Sequence, residues 1–174
     1  MPISRRQFFR GFTGKTDPEQ NEIDRASAID IYIRSNLLPY DFSLTDEETE
    51  RVMDTVRSGI APGKASDPIT EAEKRRMIEL ADQAIQPLRE QFWKAEEARR
   101  NGLVFVREFL TTEATPEDLQ KIRERFNIPY LTLLEDEIER LASSWLYRLS
   151  NEQLAPLEGP FLKELVVSEL KSWC

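Results

Sequence analysis

The sequence contains no histidine, and its one cysteine is Cys174. A single cysteine cannot form a disulfide framework within the chain. The lack of histidine excludes a Ser-His-Asp triad, a Cys-His dyad, an H-E-x-x-H metalloprotease site and a His-ligated haem. Cysteine–histidine zinc sites are excluded with them. A di-iron carboxylate bundle fails too, because such sites take a Glu-x-x-His pair from each of two helices. We therefore expect no metal and no cofactor.

Long apolar runs are missing as well. No stretch reaches the roughly 18 apolar residues that a membrane span requires, and no apolar secretory segment follows the start. Charged residues make up 32% and hydrophobic residues 40% of the 174 positions, which is typical of a globular protein. These features predict a cytoplasmic protein.

Charge is divided unequally along the chain. Residues 1–15 contain four basic residues and no acid, whereas the remaining residues contain 20 bases and 32 acids. An acidic body argues against nucleic-acid binding, because phosphate contacts need clustered Lys and Arg. We therefore predict a basic, aromatic N-terminal arm, residues 1–16, followed by an acidic domain, residues 17–174. Weak membrane contact through the arm stays open.

Hydrophobic spacing and helix start and stop signals predict helices throughout the domain. The predicted ranges are 18–37, 45–59, 69–100, 103–110, 116–127, 131–149 and 157–173. About seven amphipathic helices with short connections indicate an all-α, irregular multi-helix bundle with a single core. Residues 61–68, which contain two prolines and a glycine, are the best candidate for a flexible linker.

Three local signals make this prediction specific. Pro87 should kink or split the third helix, and Gly102 should end it. Thr132 and Glu135 form a capping-box pattern for the sixth helix. The core face of that helix is predicted to carry Leu131, Leu134, Ile138, Leu141, Ala142, Trp145, Leu146 and Leu149.

Carboxylates are the only plentiful groups of a catalytic type. The densest cluster is Glu135, Asp136, Glu137 and Glu139. Neighbouring carboxylates can act as an acid–base pair or hold a divalent cation. The periodicity instead favours a solvated helix face, with Asp136 and Arg140 as an ordinary surface pair.

Two further features carry little chemistry. The string Gly14-Lys15-Thr16 is part of a phosphate-loop pattern, but that pattern requires a glycine where Phe9 stands. Cys174 could be a reactive thiol or a palmitoylation site, and an unmodified terminal thiol is the favoured interpretation.

Residues 4–10, Ser-Arg-Arg-Gln-Phe-Phe-Arg, resemble the twin-arginine export motif, Ser-Arg-Arg-x-Phe-Leu-Lys. Ser4, Arg5, Arg6 and Phe8 match, while the next two residues are conservative replacements. The resemblance implies a setting among exported redox enzymes that fold around a cofactor. The chain then continues with polar residues rather than the apolar stretch of an export signal, so we expect it to remain in the cytoplasm.

The resemblance and the acidic helical body together suggest an accessory protein, because the dedicated chaperones of molybdoenzymes are also all-helical and acidic. We predict a non-enzymatic factor that binds another protein. The more specific prediction is that this partner is a redox enzyme or its subunit. Binding would use the arm and an apolar groove between helices. A permanent helical subunit of a larger complex is the alternative, and a carboxylate enzyme with a divalent metal is a third. The predicted partner-binding residues are Arg5, Arg6, Phe8, Phe9, Arg10 and Phe12.

Overall fold

The computed structural model describes residues 24–174. This range contains seven helices and no β-strand, which confirms the prediction of an all-α, multi-helix bundle. The helices are α1 (Arg25–Asn36), α2 (Asp46–Ser58), α3 (Glu71–Thr112), α4 (Pro116–Arg125), α5 (Leu134–Arg148), α6 (Asn151–Leu154) and α7 (Gly159–Trp173).

The described residues form two compact units. The first contains the residues up to Leu38 together with Asp46–Ala81, and the second contains Pro39–Thr45 and Asp82–Cys174. Helix α3 contributes to both, because the division falls within it. This long helix supplies buried residues to the interior of each unit.

In the first unit, three helices supply an interior of aliphatic and methionine side chains. Its buried hydrophobic residues are Ile29 and Ile33 from α1, Val52, Met53 and Val56 from α2, and Met77, Leu80 and Ala81 from α3. Their spacing of three and four residues places them on one face of each helix.

In the second unit, the later part of α3 packs with α4 to α7 around a larger interior. Its core consists of Ala95, Ala98, Val106, Phe109, Ile122, Ile128, Ile138, Ala142, Leu146, Leu154, Leu162, Val166, Leu170 and Trp173. Leu141, Trp145 and Leu149 pack against this core while partly exposed. The predicted core face of α5 is therefore confirmed at its centre.

Helix α3 runs for 42 residues through both predicted stop signals. Pro87 and Gln83 are both exposed, so water can hydrate the Gln83 carbonyl that the proline leaves without a helical donor. Gly102 lies where α3 meets α5: a Cβ added there would be 3.0 Å from Leu146 Cδ1. The glycine serves close helix packing rather than a cap, and the segment 103–110 continues the same helix.

The predicted start of the first helix, at residue 18, lies outside the described residues. Within them, α1 begins at Arg25, because Asp24 has an extended backbone and its carboxylate accepts the Ser27 N–H at 2.8 Å. The predicted start of the helix at residue 131 is corrected. Helix α5 begins at Leu134 with Leu133 at the N-cap and no side-chain cap, so the Thr132–Glu135 capping box does not form. Because Leu131 precedes the helix, its side chain is 102% exposed instead of buried.

Candidate interaction surfaces

The six predicted partner-binding residues of the arm lie outside the described residues. They are Arg5, Arg6, Phe8, Phe9, Arg10 and Phe12. An apolar groove between helices was expected to act together with the arm. The structure describes a groove between helices, and Asp24, the first described residue, is part of its lining.

This groove, the α1–α2 cleft, lies between the start of α1, the end of α2 and the segment after α2. Its volume is about 650 Å³, which is within the usual range for ligand sites. It is lined by Asp24, Arg25, Ala26, Ile29, Asp30, Arg57, Ser58, Ile60, Ala61, Pro62, Gly63 and Ala65. Most of these side chains are small or aliphatic, so the cleft offers an apolar surface with polar groups at defined places.

A paired arginine supplies the polar part of the cleft. Arg57 donates from Nε to Asp30 Oδ1 at 2.8 Å and from Nη2 to Asp30 Oδ2 at 3.0 Å. It also donates to Asp54 at 2.7 Å. The hydrogen bond with Asp30 raises the pKa of Arg57, so the guanidinium stays charged. This bidentate pair joins α1 to α2 and fixes the cleft wall.

A second arginine anchors the opposite wall. Arg25 is 7% exposed, and its Nη1 donates to the carbonyl oxygens of Asp67 at 3.3 Å and Pro68 at 3.1 Å. Its main-chain N–H donates to Ala65 at 2.9 Å. Segment 61–68, the predicted linker, is therefore hydrogen-bonded to α1, and its flexibility stays a prediction.

The same arginine is tied to the start of α3 through an ion pair with Glu73. Glu73 also accepts the Thr70 N–H and hydroxyl, each at 2.8 Å. Glu73 N–H in turn donates to the Thr70 hydroxyl at 3.2 Å. The Thr70 main-chain hydrogen bond first, and then its hydroxyl and Arg25, lower the pKa of the Glu73 carboxyl. Through Arg25, this capping box ties the start of α3 to the start of α1.

The second surface is a loop between α4 and α5 that sequence reasoning missed. Tyr130, Leu131 and Leu133 are 80%, 102% and 69% exposed. The periodicity placed Leu131 on the core face because the leucine spacing of α5 extends backward past its start. The sequence did contain one signal for this loop: Pro129 follows the predicted end of α4 and indicates a turn.

The carboxylate cluster of α5 is a solvated helix face in the structure. Glu137 pairs with Arg140, and Glu139 pairs with Arg107 through bonds of 2.8 and 2.9 Å. The predicted Asp136–Arg140 pair is wrong, because Arg140 turns to Glu137 instead. Within residues 24–174, no group of three or more Asp, Glu, His or Cys side chains is placed to hold a metal ion.

Cys174 is partly buried against the core of the second unit. Burial raises the pKa of its thiol. The thiol therefore stays protonated at neutral pH, which makes it a poor nucleophile.

Comparisons of the chain with models of known protein families, with curated proteins and with solved structures found no match. Among the described helices, none combines the length and the apolar character needed to cross a membrane.

Proposed function

We propose that the chain is a non-enzymatic accessory factor that binds a partner protein through its N-terminal arm and the α1–α2 cleft together. The observation that supports this is the position of Asp24, which lines the cleft and follows the end of the arm by only eight residues in sequence. Arm and cleft can therefore contact one continuous stretch of a partner.

The partner segment that suits the cleft is an apolar stretch of polypeptide. Ile60, Ala61 and Pro62 offer apolar surface on one side, and burial of such surface stabilises a complex by about 25 cal/mol per Å² before the costs of association. The Asp30–Arg57 pair at the wall provides carboxylate and guanidinium groups that can orient the main chain of the segment.

The specific version of the proposal is an assembly chaperone for a cofactor-containing redox enzyme. It depends on Arg5 and Arg6 within the twin-arginine-like motif. The discriminating change replaces both with lysine, which keeps the charge but removes the planar, bidentate donors of arginine. We expect the double variant to lose most of its partner when the intact chain is isolated from its own cell and the co-purifying proteins are quantified by mass spectrometry.

Two outcomes would contradict the proposal at different levels. Undiminished capture by the Arg5→Lys, Arg6→Lys variant would remove the redox-enzyme version, because charge alone would then suffice. Undiminished capture after deletion of residues 1–15 would remove the arm from the function altogether.

A permanent subunit of a larger complex is the alternative. It is favoured by large apolar side chains on the surface, such as Trp93 at 49% and Phe161 at 70% exposure. Such a subunit, expressed alone, should precipitate or bind a hydrophobic dye. A soluble chain that unfolds cooperatively would contradict this alternative.

A further inference from the structure

A second docking surface lies in the other unit, on the loop between α4 and α5. Pro129 and Thr132 close a turn, with Thr132 N–H donating to the Pro129 carbonyl at 3.0 Å. Tyr130 and Leu131 are the two central residues of that turn, so they stand at its tip. Leu133 follows at the N-cap of α5. We call these three side chains, Tyr130, Leu131 and Leu133, the apolar loop.

The loop is held in place on its α4 side. Ile128 is 5% exposed and belongs to the core of the second unit. Its N–H donates to the Arg123 carbonyl at 2.9 Å, next to Asn127 in the left-handed conformation with φ 51°. Arg123 Nη1 donates to the Pro129 carbonyl at 2.6 Å, and its guanidinium lies 5.1 Å from the centre of the Tyr130 ring. The exposed apolar side chains thus extend from an anchored backbone.

Leu133 does not stabilise the start of α5 by capping it. An N-cap residue normally accepts a hydrogen bond from the first turn, and Ser, Thr, Asp and Asn do this best. Leu133 makes no such bond. Three exposed apolar side chains in four residues, one of them at a position that favours a polar residue, indicate a contact surface.

The charged residues beside the loop indicate which kind of partner can bind it. Glu135 and Asp136 are exposed in the first turn of α5, and neither forms an ion pair with another described residue. A second copy docking loop to loop would bring these carboxylates together, and an anionic membrane surface would repel them. A folded protein whose apolar pocket is edged by Lys or Arg fits both the side chains and the charge.

We propose that the apolar loop inserts into an apolar, basic-edged pocket of a partner protein. This surface lies in the second unit, so the proposal does not depend on the arm or on the α1–α2 cleft. Tyr130 and Leu131 would fill the pocket, and Glu135 and Asp136 would face its basic edge.

Photo-crosslinking in the living cell tests this with the full chain. Leu131 is replaced by p-benzoylphenylalanine, and Phe161 on α7, similarly exposed at 70%, is the matched control site. We expect position 131 to form an adduct whose mapped peptide lies in an apolar depression edged by Lys or Arg. Position 161 should not yield the same adduct.

Charge reversal and stability controls complete the experiment. Glu135→Lys and Asp136→Lys should each reduce the adduct at least about threefold, whereas Glu164→Lys, exposed on α7, should leave it unchanged. Leu133→Ser should reduce it about tenfold while raising the urea midpoint, so that the loss cannot be ascribed to unfolding. Deletion of residues 1–15 should leave the adduct intact, which separates this proposal from the function of the arm.

Four results would overturn the proposal. They are no adduct at position 131, an adduct with a second copy of the chain, a mapped partner surface without basic residues, and undiminished adduct yields in the two charge-reversal variants. Co-sedimentation with phosphatidylcholine vesicles that is lost in Leu131→Ser would also overturn it, because the loop would then bind a bilayer.

Discussion

The guanidinium of Arg25 donates a hydrogen bond of 3.1 Å to the main-chain carbonyl of Pro68. This contact links the first turn of α1 to the residue that precedes the start of α3 by three positions. A buried arginine is unusual unless its donors are satisfied. Here they are satisfied by main-chain carbonyls and by Glu73, and the result is a fixed wall for the α1–α2 cleft.

Arg25→Met should lower the free energy of unfolding by about 2 kcal/mol, because charged hydrogen bonds to otherwise unpaired carbonyls are lost. Arg34→Met is the matched control: Arg34 is half-exposed and pairs with Glu50, so its loss should cost less than about 1 kcal/mol. Urea unfolding followed by circular dichroism measures both. Faster tryptic cleavage after Lys64 in Arg25→Met would confirm that the wall has loosened, and equal effects of the two substitutions would contradict the anchoring role.

The capping carboxylate at the start of α3 predicts a pH dependence. Hydrogen bonds from Thr70, and the charge of Arg25, lower the pKa of Glu73 below its usual 4.5 in the folded protein. A lowered carboxyl pKa stabilises the fold fully above the unfolded value, and that stabilisation disappears as the pH falls through the folded value. Stability should therefore fall as the pH drops from the unfolded value through the lower folded value, and less steeply in Glu73→Gln. Parallel pH profiles of the two proteins in urea titrations would contradict this assignment.

Because Gly102 and Leu146 are in close contact, the effect of Gly102→Ala on the free energy of unfolding should change sign when Leu146 is truncated. Gly→Ala within a helix normally stabilises by about 1 kcal/mol. At this position the new methyl would lie 3.0 Å from Leu146 Cδ1, and overpacking of this kind costs about 1–3 kcal/mol. Gly102→Ala should therefore destabilise the native protein but stabilise a Leu146→Ala background. Stabilisation in both backgrounds would show that the helices do not meet closely at this glycine.

Leu133→Ser should raise the free energy of unfolding by about 1 kcal/mol, because a serine at the N-cap can accept a first-turn N–H of α5. Leu133 makes no such bond and is 69% exposed, so little burial is lost. Chemical denaturation measures the gain. A destabilised variant would mean that Leu133 contributes packing that outweighs the cap.

Periodicity predicted the all-α fold because the buried residues recur at three and four positions along most helices. Sequence-based prediction failed where the same residue type suits two different structural roles. Gly102 fits a helix end by its conformational freedom, yet here it allows two helices to approach. Only the neighbour across the interface, Leu146, decides between these uses, and that neighbour lies far away in the sequence.

The candidate surfaces were predictable to different degrees. A groove between helices was expected, but its position between α1 and α2 depends on the long-range hydrogen bonds of Arg25 and Arg57, which spacing does not reveal. The apolar loop was not predicted, because a leucine in a turn and a leucine on a core face look alike in sequence. The difference lies in the helix boundary, which was predicted at residue 131 and lies three residues later, at Leu134.

Filling the α1–α2 cleft tests the proposed function most directly. Ala61 is exposed and lines the cleft, whereas Ala72 is exposed at the start of α3 and does not. The full chain carrying Ala61→Trp or Ala72→Trp is isolated from its own cell, and the proteins that co-purify are quantified against the unmodified chain. We predict that Ala61→Trp loses the partner at least about tenfold and that Ala72→Trp retains it. Equal capture by both variants would contradict the proposal that the cleft binds the partner.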